Sequence, residues 1–274
     1  NDRVDPKNTE FTDQLITALS HEDAVVRQQA AAGLGSVNFD ARIIDPLLVI
    51  LSSDQDGVAR VYASMTITQW CTYGYLRPAK LHKRQQEILI SALSDKHKFV
   101  RANIVTTVFT SSSSIVNEQS VAALGLLLKD QHEAVRSNAV ASVGGLAGDP
   151  QITPLVDTLM KIVQDKNEVT HIRREAITAL MHTLDNRVMP LLQKLLQDAD
   201  ATIRIKAVDS IGFICRTNPF GSVDPIKGIL PLLGDQNEDV RKAVISTLEL
   251  VSGEDFGEDR AAWHVWYHEK QINE

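Results

Sequence analysis

The sequence predicts an all-α fold, an array of about seven stacked helix pairs, and three observations carry that expectation. A β-branched residue followed by arginine recurs along the chain as Val26-Arg27, Val100-Arg101, Val135-Arg136, Ile172-Arg173, Ile203-Arg204 and Val240-Arg241. Ala59-Arg60 is a weaker copy, so that seven arginines stand 31 to 41 residues apart. Around each arginine, offsets of −1, +3 and +7 are apolar or alanine, as in Val135, Ala139 and Val143, and those offsets share one helix face. Ahead of each arginine stands another apolar run that ends on Asp or Ser, so each repeat reads as helix, tight turn, helix.

Taken in order, the repeats are expected at about 13–37, 43–71, 85–112, 120–147, 152–184, 188–216 and 224–251, followed by a terminal cap over 252–274. The whole of 1–274 is expected to form a single domain. In the first repeat the "GLGSV" of residues 33–37 ends a second helix, with Gly35 as a stop rather than a phosphate cradle. "PLLVILSSD", "EILISALSD" and "ALGLLLKD" supply the first helices of repeats two to four and close on Asp54, Asp95 and Asp130. The fifth repeat carries a longer turn in "VQDKNEVTHIRREA". "PLLQKLLQD" and "ILPLLGD" open the sixth and seventh and close on Asp198 and Asp235.

Five of the seven repeats thus place an aspartate six residues before the arginine; the first has His21 there instead. Such an aspartate can cap the second helix or accept from an arginine of the adjoining repeat. Stacking would then join Arg27, Arg60, Arg101, Arg136, Arg173, Arg204 and Arg241 to these aspartates in a ladder of charge-assisted bonds. Asp, a short polar turn, Val-Arg, then Ala and Leu at helical spacing closely resembles the HEAT-repeat family over residues 13 to about 251. The resemblance implies a right-handed α-solenoid, a superhelix of HEAT-like helix pairs whose second helices line a concave surface. It implies little about chemistry, because the family mostly provides protein-binding scaffolds.

Catalytic readings find little support in the residues. His132-Glu133 suggests a metal-binding fragment, but aligned on the arginine it falls in the turn, where other repeats place Lys96-His97-Lys98 or Gln236-Asn237-Glu238. Deoxyhypusine hydroxylase, also built of HEAT-like repeats, holds iron with His-Glu directly after the arginine. Here those slots hold Gln28-Gln29, Ser137-Asn138, Arg174-Glu175, Ile205-Lys206 and Lys242-Ala243, which cannot ligate iron as a set. Cys71 and Cys215 both lie eleven places after their arginine, on the core face of the second and sixth repeats, and are expected as separate core thiols. Nucleophile elbow, P-loop, dinucleotide fingerprint and HExxH motifs are absent, so no cofactor is expected.

Three features lie outside the repeat consensus. At offsets +5 and +6 the second helices carry a track that runs from Ala32-Gly33 through Thr106-Thr107 and Ala141-Ser142 to Ser246-Thr247. This track is either a shallow groove for a protein partner or a packing device that permits tight curvature. The segment "QWCTYGYLRPAKLHKRQQ", residues 69–86, is an insertion rich in aromatic and basic residues, and residues 77–101 have a net charge of +5, leaving −12 for the rest. Trp70, Tyr73, Tyr75, Arg77, Lys80, Lys83 and Arg84 are candidate partner-binding residues there; the alternative is a loop whose aromatics close a gap between repeats. The end, "SGEDFGEDRAAWHVWYHEK", resembles the C-terminal close of bacterial HEAT-repeat proteins, with Trp263 and Trp266 covering the open core. His264 and His268 share a face there, at a spacing zinc can use, but no third ligand is fixed and no metal is expected.

The expected function is therefore a noncatalytic protein-binding scaffold or adaptor, part of a larger complex, with a partner the sequence does not identify. The alternatives are an enzyme resembling the HEAT-like bilin or tetrapyrrole lyases and, against a net charge of −7, a nucleic-acid-binding solenoid. No apolar run approaches the length of about 18 residues that a membrane span needs, so a soluble protein is expected. The first residue, Asn1 rather than Met, favours a processed, exported (periplasmic) chain.

Overall fold

The computed structural model describes residues 6–109, 114–146, 148–183, 185–217 and 225–273. Of the expected repeats, residues 110–112, 147, 184 and 224 lie outside the described residues, as does 274 in the cap. The chain divides into two compact units, Asn1–Leu155 and Val156–Glu274. The first holds the pairs α1 (Pro6–Ala18) and α2 (Ala24–Leu34), α3 (Ile44–Ser53) and α4 (Gly57–Thr72), α5 (Lys83–Ala92) and α6 (Lys98–Val108), and α7 (Glu118–Leu127) and α8 (Glu133–Gly145). The second holds α9 (Val156–Gln164) and α10 (Thr170–Met181), α11 (Val188–Leu195) and α12 (Ala201–Thr217), and α13 (Pro225–Ile229) with α14 (Glu238–Ser252), closed by α15 (Arg260–Asn273). From α1 to α12 each first helix packs on its own second helix, in the last pair the Leu230–Gly234 turn after α13 packs on α14, and successive second helices pack side by side, α2 on α4 on α6 on α8 and α10 on α12 on α14.

The repeated apolar positions form the core. Every residue at −1, +3 and +7 is at most 2% exposed, except Val26 in the first pair, which is half-buried. Alanine at +3, as in Ala63, Ala139 and Ala207, lets adjacent helices approach closely. Gly212 extends this: a Cβ there would stand 2.7 Å from Thr247 Cγ2, so α12 and α14 touch almost backbone to side chain.

Arginines and aspartates join the pairs in a regular way. Arg27 donates Nε and Nη2 to the two carboxylate oxygens of Asp54 at 2.6 and 2.8 Å, and Arg60 does the same to Asp95, Arg101 to Asp130 and Arg204 to Asp235. Each of Arg60, Arg101, Arg136, Arg204 and Arg241 also donates Nη1–H, at 2.8 Å, to the carbonyl of the aspartate in its own repeat. Arg173 deviates, because of the longer turn before it: its Nε donates to the Val163 carbonyl, and its Nη2 reaches Asp198.

The aspartates do not cap the second helices. Each instead accepts the backbone N–H two residues on, as Asp54 does from Asp56 and Asp235 from Asn237, and so closes the turn. The caps stand two residues later, at Asp23, Asp56, His97 and Asn237. Arg27 holds the Asp54 carboxyl below the usual carboxylate range, and Arg204 does so for Asp235. At Asp130 burial pushes the other way, but Arg101 and the His132 N–H outweigh it. Where the first repeat has His21, its Nδ1 accepts the Asp23 N–H at 3.0 Å, preserving the turn without a carboxylate.

Candidate docking face

The 69–86 segment begins where α4 ends. Gly74 takes a positive φ of 77°, which only glycine adopts freely, and this lets the Tyr75 and Leu76 N–H groups fold back onto the Trp70 carbonyl at 3.0 and 3.1 Å. Leu76 and Pro78 are buried and pin the far side of the turn. Gln86 Nε2 donates to the Ala79 and Leu81 carbonyls, and Gln85 Nε2 donates to Asp45 at 2.7 Å. The segment is therefore tied down along its length.

A line of four aromatic rings leads from the core to the surface. Trp70 meets Phe39 edge to face at 5.4 Å, Phe39 stacks on Tyr75 at 5.7 Å, and Tyr75 meets Tyr73 at 6.4 Å. Exposure decides their roles: Trp70 is 2% exposed, whereas Tyr73 and Tyr75 are 62% and 61% exposed. Trp70 is thus corrected from partner anchor to core residue, because its ring is buried against the edge of Phe39. Phe39, which sequence reasoning did not single out, is the half-buried support on which Tyr75 rests.

Arg77, Lys80, Lys83 and Arg84, which follow the tyrosines in the same segment, are all exposed. Lys83 lies 4.0 Å from Glu87; among the described residues the other three have no ion-pair partner. No acidic residue occurs between Gly57 and Gln86, and the nearby carboxylates are engaged, Asp40 by Arg42 and Asp45 by Gln85. The face therefore offers two flat amphipathic rings and a cationic rim in which, among the described residues, only Lys83 has an ion-pair partner.

The other sequence candidates fall elsewhere. The +6 half of the small-residue track is a packing device, since Thr66, Thr107, Ser142, Ala179, Ser210 and Thr247 are buried. Thr66 Oγ1 donates to the Ala31 carbonyl of the preceding second helix, and Asn138 Nδ2 does the same to Ala102. Asn103 Nδ2 reaches Ser64, and Gln28 Nε2 reaches Asp56. These bonds form a second, polar ladder between second helices, for which the asparagines at +2 were the available signal. At +5, Met65, Ala141, Asp209 and Ser246 are exposed.

His132 is the half-buried N-cap of α8, its N–H given to Asp130, and Glu133 is exposed at the first helical position. His264 and His268 lie exposed on α15, and among the described residues no group of three or more His, Cys, Asp or Glu side chains is placed to hold a metal. Cys71, buried, and Cys215, half-buried, are not joined in a disulfide, and burial pushes the Cys71 thiol up to about 12. Trp263 is fully buried against Phe256 and Trp266, its Nε1–H given to the Gly257 carbonyl at 2.9 Å, and α15 packs on the Leu230–Gly234 turn. Among the described residues no helix is long and apolar enough to cross a membrane.

Repeated helix pairs joined by Arg–Asp rungs define the class, an all-α repeat solenoid. Two engineered proteins of known structure share the architecture: one at a TM-score of 0.53 and 16% identity, covering 88% of this chain and 68% of its own, the other at 0.50 and 18%, covering 89% and 97%. At such identities the likeness shows the fold alone. A phycocyanin lyase complex of Nostoc sp. reaches a TM-score of only 0.47 at 16% identity, over 88% of this chain and 94% of its own, too low to carry an argument. The family model for HEAT repeats matches residues 121–212, and the same rungs and buried positions continue on both sides of that stretch. The stretch 121–212 is thus of the HEAT-repeat type, and the described residues on either side share its repeat-solenoid architecture. No curated protein sequence matches the chain.

Proposed function

We propose that this protein is a noncatalytic scaffold that binds an acidic segment of a protein partner on the face formed by Phe39, Tyr73 and Tyr75 and the basic residues Arg77, Lys80, Lys83 and Arg84. The observation that carries the reading is the occurrence, in one tied-down segment, of two tyrosines more than half exposed and three exposed cations, Arg77, Lys80 and Arg84, without an ion-pair partner among the described residues. Exposed aromatic rings held rigid lose little entropy on binding, which is why they anchor protein interfaces. The rim would steer an acidic partner and raise its association rate. The rest of the chain carries a balancing −12, which disfavours a polyanion as long as a nucleic acid.

A photo-reactive phenylalanine analogue in place of Tyr75 should crosslink to a distinct protein when the full chain is returned to its native extract. The same analogue at Phe11, which is exposed on α1, should not capture it. Crosslinking to the same protein from both positions, or from neither, would refute the assignment of the face.

A further inference from the structure

The last rung of the Arg–Asp ladder is open. Arg241 donates Nη1–H to the Asp235 and Gln236 carbonyls at 2.8 and 3.3 Å, as Arg204 does to Asp198 and Ala199. In Arg60, Arg101 and Arg204 that anchoring aims Nε and Nη2 at the next aspartate, which takes both. Arg241 is half-buried, and no carboxylate among the described residues bonds its Nε or Nη2. Asp235 and Glu238, on both of which Arg241 acts electrostatically, are engaged elsewhere, Asp235 by Arg204 and Glu238 by Lys242 at 2.6 Å.

A second guanidinium comes to the same turn. Arg260, at the start of α15, brings Nη1 to 3.0 Å from where a Cβ on Gly234 would stand, and among the described residues it too has no ion-pair partner. In the link before it, Asp255 accepts the Gly257 N–H and Asp259 accepts the Ala262 N–H. Glu254 and Glu258 are exposed in the same link, and among the described residues neither forms an ion pair. Two cations therefore meet the Gly234–Gln236 turn with no bonded anion, an arrangement that an incoming carboxylate would stabilise through both guanidinium groups.

We infer that Arg241 and Arg260 form a carboxylate-binding site that takes an acidic side chain presented on a turn of a partner protein, completing the rung as the aspartates do upstream. The geometry selects a carboxylate because the Nε–Nη2 pairs of Arg27, Arg60, Arg101 and Arg204 each hold one, in two parallel bonds. A second copy of this chain does not supply it, since the turn that leads its first helix pair carries His21 where the aspartate stands elsewhere. The site is independent of the aromatic face.

The test uses the intact protein and follows the arginine Nε–H signals by NMR. The probe is the synthetic peptide LLGDQNEDV, residues 232–240 of this chain, which carries the rung aspartate in its own turn. Its Asp235→Asn version serves as control and retains the other two acids. The Arg241 Nε–H signal should shift saturably with the aspartate peptide. Binding should weaken about threefold, the size of one exposed ion pair, for the asparagine peptide and for the Arg260→Gln protein. The Arg260→Gln variant leaves the Arg241 turn bonds intact, and its unchanged melting curve separates a lost site from a lost fold. No movement of Arg241 at millimolar peptide would overturn the inference. So would equal movement with the asparagine peptide or with inorganic phosphate, since the site would then not read a carboxylate.

Discussion

Replacing Arg204 with alanine isolates one rung. The change removes the two bonds to Asp235, at 2.9 and 2.8 Å, and those to the Asp198 and Ala199 carbonyls, at 2.8 and 3.2 Å. It leaves the Asp235 carboxylate, whose side chain is 8% exposed, with the Asn237 N–H and the nearby charge of Arg241. Breaking a fully buried pair costs about 3–5 kcal/mol, because one charge is stranded. The 15% exposure of Arg204 and the two remaining contacts of Asp235 reduce this to about 2–3 kcal/mol. Asp235 is held below its ordinary value by Arg204, so its contribution is fully present above about pH 4, the unfolded value, and is lost as pH falls through the lower folded value. Urea denaturation of wild type and Arg204→Ala should therefore differ by that amount between pH 5 and pH 8, and the gap should close in more acid solution. A difference under about 0.5 kcal/mol, or one that persists unchanged in acid, would refute the view that the rung is a stabilising ion pair.

Other changes test the packing and the turn. Gly212→Ala gains about 1 kcal/mol of helix propensity but must displace Thr247 Cγ2 from 2.7 Å, so it should destabilise by about 1 kcal/mol; in a Thr247→Ala background the same change should become neutral or stabilising, as read by chemical denaturation. Trp263→Ala should cost about 3–5 kcal/mol, because the ring is fully buried and donates to Gly257; retention of the wild-type melting temperature would show that α15 does not close the core. Trp70→Ala should lower the melting temperature, while Tyr73→Ala and Tyr75→Ala should leave it nearly unchanged, and equal losses from all three would place the tyrosines in the core as well. Cys71 should resist alkylation at pH 8 in the native protein, since burial raises its thiol to about 12; labelling at the rate of a free thiol would contradict that environment.

The fold was legible because its signal repeats. Seven copies of one apolar spacing reinforce each other, and the positions at −1, +3 and +7 need only burial, which composition reports directly. The rung partners were legible as a set but not in detail, because the sequence shows an aspartate six residues before an arginine without showing that Arg101 sends Nε and Nη2 forward to the Asp130 carboxylate while Nη1 holds the Asp95 carbonyl of its own repeat. The candidate face was only half legible. Trp70 and Tyr75 look alike in a string of aromatic residues, yet the positive φ at Gly74 reverses the chain so that one ring enters the core and the other leaves it. Phe39 was missed because it lies in the preceding inter-repeat link, more than 30 residues from the ring it supports. The groove reading of the +6 positions failed for a similar reason: helical offset alone does not distinguish a face turned to solvent from one turned to the neighbouring second helix, where Thr66 bonds Ala31.

Whether Tyr73 and Tyr75 anchor the partner captured through residue 75 is decided by its affinity for wild type and for the Tyr73→Ala, Tyr75→Ala double variant, measured by calorimetry at equal protein stability. The account predicts a loss of about 2 kcal/mol or more, roughly thirtyfold, as expected for removing two interface anchors. It also predicts that Lys83→Glu with Arg84→Glu slows association most at low salt. Equal affinity for the wild type and the double variant would contradict it.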